Sequence, residues 1–249
     1  MSNKTVVVQG LVLGEVQHKE YNKLITVLTA DRGIIKVYVY GAMSVKNKNF
    51  AATQPFAYSE MELSEKGGGL TLKSGTLIRY FYSASKGLAS NALMIYLSEF
   101  LMGVCCEESE EREMMRLALN TFHALSEGVK SVEQIKAVFE MRAAMILGFS
   151  PSLEDVCCEC SGEKADFLDY ESGGLVCREC ARSSEAGIQL YPTVVNAMRY
   201  VLSCDMKRML AFTLEKEDLD VFARAAQGYI LYQLDRGFSS LEFYRQVIE

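Results

Sequence analysis

Two Cys-x-x-Cys pairs, Cys157-x-x-Cys160 and Cys177-x-x-Cys180, stand sixteen residues apart, and nothing else in the chain constrains its folding so tightly. Two residues between thiols let a tight turn aim both sulfurs at one point. A second such pair completes a tetrahedral shell of thiolates at about 2.3 Å per bond to zinc. Gly162, Gly173 and Gly174 supply loop freedom for the chain to fold back. Four thiolates leave no open coordination position, so the spacing implies a structural Zn2+ and not a catalytic one. Two rivals stay open: a redox dithiol, which would sit at the strand–helix junction of a βαβ unit that the pattern lacks, and an iron–sulfur cluster. Cys158 adjoins the first pair, but a Cys158-x-Cys160 register would be poor ligand geometry. Cys157 is therefore read as the ligand and Cys158 as a neighbour pointing away. The insert is expected to lack a core of its own, so metal would stabilise it, by roughly 10–16 kcal/mol in comparable small peptides. Cys105, Cys106 and Cys204 read as buried free thiols at helix ends.

The 249 residues, 49% hydrophobic and 23% charged, suit a globular protein of one large or two modest domains. No apolar run reaches the roughly 18 residues of a membrane span. Met1–Val8 lacks the basic, apolar and small-residue order of a signal peptide. A cytoplasmic location is expected, where eight cysteines suggest metal or thiols before disulfides. The net charge of −6 is unevenly spread. Up to Tyr80 there are ten basic and six acidic residues; beyond it there are sixteen and twenty-six. A basic head on an acidic body suits a localised polyanion site.

The first eighty residues read as five short strands: Thr5–Leu13, Lys23–Thr29, Gly33–Tyr40, Phe56–Leu63, and Leu70–Lys73 running on to Tyr82. Turn signals Asp31-Arg32-Gly33, Lys46-Asn47-Lys48-Asn49 and Gly67-Gly68-Gly69 separate them. Five strands without intervening helices fit a small barrel, an OB-fold or an SH3-like one. After Tyr82 the period becomes helical, predicting helices over Ala84–Val104, Glu110–Leu125, Val132–Leu147, Pro192–Ser203, Asp218–Asp235 and Ser240–Ile248. Ser131 reads as an N-cap and Gly148 as a C-cap. The expected architecture is α+β and multidomain: a five-stranded OB-fold barrel over 1–82, then an all-α domain over 83–249 with a four-cysteine zinc-binding insert at 151–182. The boundary is set near Tyr82–Lys86.

Strand Gly33–Tyr40 alternates, with Ile35, Val37 and Val39 facing inward and Lys36, Tyr38 and Tyr40 sharing the other face. Aromatic rings that stack on bases, interleaved with a lysine for phosphate, make a sequence-tolerant surface for single strands. Lys46 and Lys48 in the next loop suit backbone contact, and Lys23, Arg32, Lys73 and Arg79 could extend the stripe. The competing reading has Tyr38 or Tyr40 packing against the helical part. Catalysis is not expected. His18 and His123 lie far in sequence from the cysteines, so a mixed histidine–cysteine shell with a nearby glutamate is not expected. There is no Walker or dinucleotide glycine pattern. Glu107–Glu113 reads as the charged start of a helix.

These residues carry a resemblance to the RecO family of bacterial recombination mediators. Val6–Leu13 and Lys23–Gly33 are similar to that family's first hairpin, Gly41-Ala-Met-Ser44 to its basic loop, and Gln54-Pro55-Phe56 to the entry of its fourth strand. Leu147-Gly148-Phe149-Ser150-Pro151, followed by the two cysteine pairs with Gly173-Gly174 between them, resembles its zinc insert. Tyr229–Leu241 resembles its last helices, with Ser239-Ser240 where Lys-Ser is usual. The resemblance implies a non-enzymatic, nucleoid-associated protein of recombinational DNA repair. Such a protein binds single-stranded and double-stranded DNA, anneals complementary strands and helps load recombinase onto coated DNA. Implied partners are RecR and the C-terminal tail of the single-stranded-DNA-binding protein. Residues alone leave a second class open, a zinc-stabilised protein-interaction scaffold without direct nucleic-acid binding, and a third, a zinc-dependent hydrolase.

Overall fold

In the computed structural model, which describes residues 4–42, 44, 47–82, 87–162 and 164–248, the opening stretch of alternating residues forms five strands. They are β1 (Lys4–His18), β2 (Asn22–Thr29), β3 (Gly33–Val39), β4 (Ala57–Lys66) and β5 (Gly69–Tyr80). They close into a barrel in the order β1-β2-β3-β5-β4, with β4 returning to β1. Closure depends on the length of β1. Its first half pairs with β4 from Lys4 to Leu11 and its second half with β2 from Gly10 to His18. The register slips between Val12 and Gly14, and a bulge of this kind bends a strand from one partner toward the next. Gly10 sits at the changeover, where a Cβ would lie 2.3 Å from Val27 Cγ1. Val12, Ile25, Val27, Ile35, Val37, Val39, Met61, Leu63 and Leu72 fill the barrel, every second residue of each strand pointing in. The expected OB-fold barrel is present.

Six helices follow: α1 (Leu88–Val104), α2 (Arg112–Glu127), α3 (Val132–Ile146), α4 (Pro192–Ser203), α5 (Lys216–Leu234) and α6 (Ser239–Ile248). By compactness the chain forms two units, Met1–Glu127 with Phe238–Glu249, and Gly128–Gly237. The strand-to-helix change proposed near Tyr82–Lys86 falls on residues 83–86, outside the described residues, and α1, α2 and α6 group with the barrel. In the first unit Tyr96 and Phe100 of α1 meet Phe238 edge-on or tilted, with centroids 5.7 and 5.3 Å away. In the second unit α3 is buried nearly all round. Ser131 caps it by accepting from the Gln134 N–H. Gly148, at φ +88°, ends it with Phe149 N–H donating to the Ala144 carbonyl, a Schellman closure. Lys136 and Glu140, both buried on α3, pair at 2.8 Å, and Lys136 also donates to Gln227 of α5.

Two expectations need correction. The second helix begins at Arg112, not at Glu110, and residues 106–111 run instead as a loop along the barrel. Ile34 N–H donates to the Cys106 carbonyl, Glu108 N–H to that of Arg32, and Glu111 N–H to that of Ala30. Those partners at the β2–β3 turn and the start of β3 outcompete a further helical turn. The insert expected over 151–182 is also not bare loop, and its structure runs past residue 182. It carries a small antiparallel sheet, β7-β6-β8, from β6 (Phe167–Asp169), β7 (Gly174–Val176) and β8 (Gly187–Gln189). Leu168, Leu175 and Val176 are buried there, and the end of the sheet is tied to α5, where Gln233 donates to the Tyr170 carbonyl and Tyr229 and Tyr232 meet the Tyr170 ring. Among the described residues no helix is long and apolar enough to cross a membrane.

Candidate metal centre and nucleic-acid interface

Strand β7 ends at Val176, so Cys177 emerges directly from the small sheet, and the turn of Ala181 N–H onto the Cys177 carbonyl swings Cys180 back beside it. The first pair is set by a matching knuckle. Ser161 N–H donates to the Cys157 carbonyl, Cys157 N–H to the Gly162 carbonyl, and Ser161 takes φ +59° to make the turn. Gly173, at φ +69°, turns the chain into β7. The four sulfurs of Cys157, Cys160, Cys177 and Cys180 all lie within 4.8 Å of one another, and Cys160 and Cys177 are 3.8 Å apart. Thiolates bound to one tetrahedral zinc at 2.3 Å stand about 3.8 Å from each other, so this donor set fits that ion. Burial opposes ionisation of Cys157, but N–H groups of Cys160, Cys177 and Glu159 donate to its sulfur and hold the thiol at about 6. Sulfur contacts from Cys160 and Cys177 push the Cys180 thiol up. Cys158 lies outside the cluster: its N–H donates to the Leu175 carbonyl and its sulfur is 3.5 Å from Ser172 Oγ. Of the remaining thiols Cys105 is buried, Cys204 half-buried, and Cys106 exposed, because its segment runs over the barrel surface instead of ending a helix in the core.

On the barrel, β3 presents its two faces as the alternation requires. Ile35, Val37 and Val39 are buried; Lys36 and Tyr40 are exposed and Tyr38 half-buried. The Tyr38 and Tyr40 rings meet edge-on at 4.6 Å, and His18, at the end of β1, adds a third ring 5.2 Å from Tyr38. Asn22 donates to the Tyr38 hydroxyl and accepts from Gly41 N–H, and Asn47 donates to the carbonyls of Tyr40 and Gly41. Two asparagines thus pin this aromatic cluster to the hairpin and to the following loop. His18 was missed as a member because its position depends on the β1–β2 register, His18 opposite Asn22 and Leu24 opposite Tyr38. Lys48 is exposed on that loop; Lys46 lies outside the described residues.

The other basic candidates do not join one stripe. Lys23 is buried, donating to Glu15 at 2.6 Å and to the Thr53 carbonyl at 2.8 Å, and so does not belong to an exposed surface. Arg32 faces Glu65 at 3.5 Å and Lys36 faces Glu107 at 3.3 Å. Lys73 of β5 reaches Glu62 and the Thr5 hydroxyl, on the β1–β4 side. Arg79 binds Glu127 of α2 at 2.5 Å, its guanidinium 5.6 Å from the Phe81 ring centre. What the fold brings together is Arg32, Lys36, Tyr38 and Tyr40 on and beside β3, with His18 and the Lys48 loop adjoining.

Comparison with known proteins finds two family descriptions along the chain. The family description "Recombination protein O N terminal" matches residues 1–81, and "Recombination protein O C terminal" matches residues 86–242. A "DNA repair protein RecO" of Acetivibrio thermocellus is 25% identical over 236 residues, covering 94% of each chain. Proteins of the same name from Caldicellulosiruptor saccharolyticus and Symbiobacterium thermophilum are 24% and 26% identical. The first alignment covers 97% of this chain and 98% of the relative, the second 95% of both.

Proposed function

The chain belongs to the recombination protein O family, and from that premise we propose that it is a mediator of recombinational DNA repair acting by binding alone. Family membership supports a role in DNA repair and recombination. The finer reading is that it binds single-stranded and double-stranded DNA, anneals complementary strands and helps load recombinase onto single strands coated by the single-stranded-DNA-binding protein. RecR and the tail of that coating protein are its partners on this reading. A structural Zn2+ held by Cys157, Cys160, Cys177 and Cys180 supplies four metal–sulfur bonds that tie the two cysteine loops together.

The outer face of β3 carries the DNA-binding reading. Lys36, Tyr38 and Tyr40 stand together on a closed barrel whose interior is filled by Ile35, Val37 and Val39. Rings offer stacking to any base, and cations beside them attract the phosphates. Tyr38→Ala and Tyr40→Ala should each weaken binding of a fluorescent oligothymidylate, by about 1–3 kcal/mol per stacked base lost. Unchanged affinity in both variants, with the fold intact, would move the site off this strand.

One observation favours a second reading, that the barrel is a scaffold for protein partners: Arg32, Lys36, Lys73 and Arg79 each already hold a carboxylate. Partner capture that survives nuclease treatment and high salt, with no oligonucleotide binding, would select it.

A further inference from the structure

The acidic loop that follows α1 is held over the basic end of β3 by the backbone. Besides the hydrogen bonds from Ile34, Glu108 and Glu111, Gly33 lets the two segments touch: a Cβ there would lie 2.0 Å from the Cys106 carbonyl oxygen. The loop therefore has a set position, and it puts Glu107 on Lys36. From the other side the end of β4 puts Glu65 on Arg32. Between these two ion pairs lies a cavity of about 490 Å³, whose walls include Leu24, Arg32, Lys36, Tyr38, Glu65 and Glu107. The Arg32–Glu65 pair also borders a neighbouring cavity of about 700 Å³.

We propose that Glu65 and Glu107 occupy the phosphate positions of this site, so that a strand enters the cavity beside Tyr38 only by displacing both carboxylates from Arg32 and Lys36. This rests on the reading of β3 as the strand-binding face and adds its control. A carboxylate and a phosphodiester each present anionic oxygens to the same cation, and one cation cannot serve both at full strength. Both pairs are partly solvated, so each is weak enough to exchange. Once released, each carboxylate stays within a Debye length of the incoming backbone and opposes it. Glu65 and Glu107 thus lower the affinity and favour strands able to supply several phosphates at once.

The test compares full-length variants for binding of a fluorescent oligothymidylate over a range of salt concentrations, with thermal unfolding to verify the fold. Glu65→Gln and Glu107→Gln should each bind about threefold tighter than the parent at low salt, and together about tenfold, the gain shrinking as salt rises. Glu242→Gln, which removes an equal charge from the pair with Arg245 on α6, should leave affinity unchanged. Arg32→Ala and Lys36→Ala should weaken binding. If the glutamine variants bind like the parent while Lys36→Ala still weakens binding, the displacement proposal fails and the β3 face stands. If Glu242→Gln gains as much as Glu107→Gln, bulk charge is the cause and the proposal is overturned. If neither Lys36→Ala nor Tyr38→Ala changes affinity, the strand-binding reading falls and takes the proposal with it.

Discussion

Glu99 shows how much one side chain can hold. From the middle of α1 it accepts hydrogen bonds from both the backbone N–H and the hydroxyl of Ser239 and of Ser240, so one carboxylate caps the start of α6. Burial alone would raise its pKa, but these four donors outweigh that and hold the carboxyl below its usual range. A depressed carboxylate contributes stability that is fully present above the pKa of the unfolded chain and is lost as pH falls through the folded value. Glu99→Ala should therefore cost about 1–2 kcal/mol at neutral pH, and urea titrations should show the difference narrowing as the solution is acidified. Gly33 is the second residue with no substitute. At φ +59° and in contact with Cys106, it should lose at least about 2 kcal/mol on change to alanine, through backbone strain and through displacement of the acidic loop together.

At the scale of elements, the cysteine knuckles and the small sheet act as one piece. Cys177 follows β7 without a break, and Cys158 N–H ties the other knuckle to Leu175 within β7. Native mass spectrometry should find one zinc per chain. A chelator should then speed hydrogen exchange at Phe167–Asp169 and Gly174–Val176 while the barrel amides stay protected. Cys160→Ser should reproduce that loss, and Cys158→Ser should retain the metal, since its sulfur turns toward Ser172. Retained zinc in Cys160→Ser, or lost zinc in Cys158→Ser, would assign the ligands differently. The buried sheet residues should preserve part of the insert's structure without metal, unlike small peptides that are folded only by their ion.

For the molecule as a whole, charge is the property to measure. A net charge of −6 opposes a polyanion at a distance, while the segment up to Tyr80, with ten basic and six acidic residues, is net positive. Binding should therefore be local and strongly salt-dependent, with log affinity falling linearly against log salt, by about 0.7 per phosphate contacted on a single strand. Lys46→Glu with Lys48→Glu should bind more weakly and reduce that slope, with the thermal transition unchanged. A flat salt response in the parent protein would remove the electrostatic basis of the proposed function.

Local pattern was enough to determine that there are five strands, the inward and outward faces of β3, the caps at Ser131 and Gly148, and the four clustered cysteines. Each follows from a period, a turn residue or a spacing that neighbouring residues enforce. But the pattern ended the first strand at Leu13, where β1 continues to His18 along β2. Position relative to distant segments was not legible. Lys23 looks like any strand lysine until Glu15 and the Thr53 carbonyl enclose it, and His18 joins the tyrosines only through the hairpin register. Glu107–Glu113 resembles a helix start, yet the backbone ahead of Arg112 found better partners at the β2–β3 turn and the start of β3. Composition and period report what a residue prefers alone; which charge meets which depends on how chain segments far apart in sequence pack, and only the tertiary structure decides that.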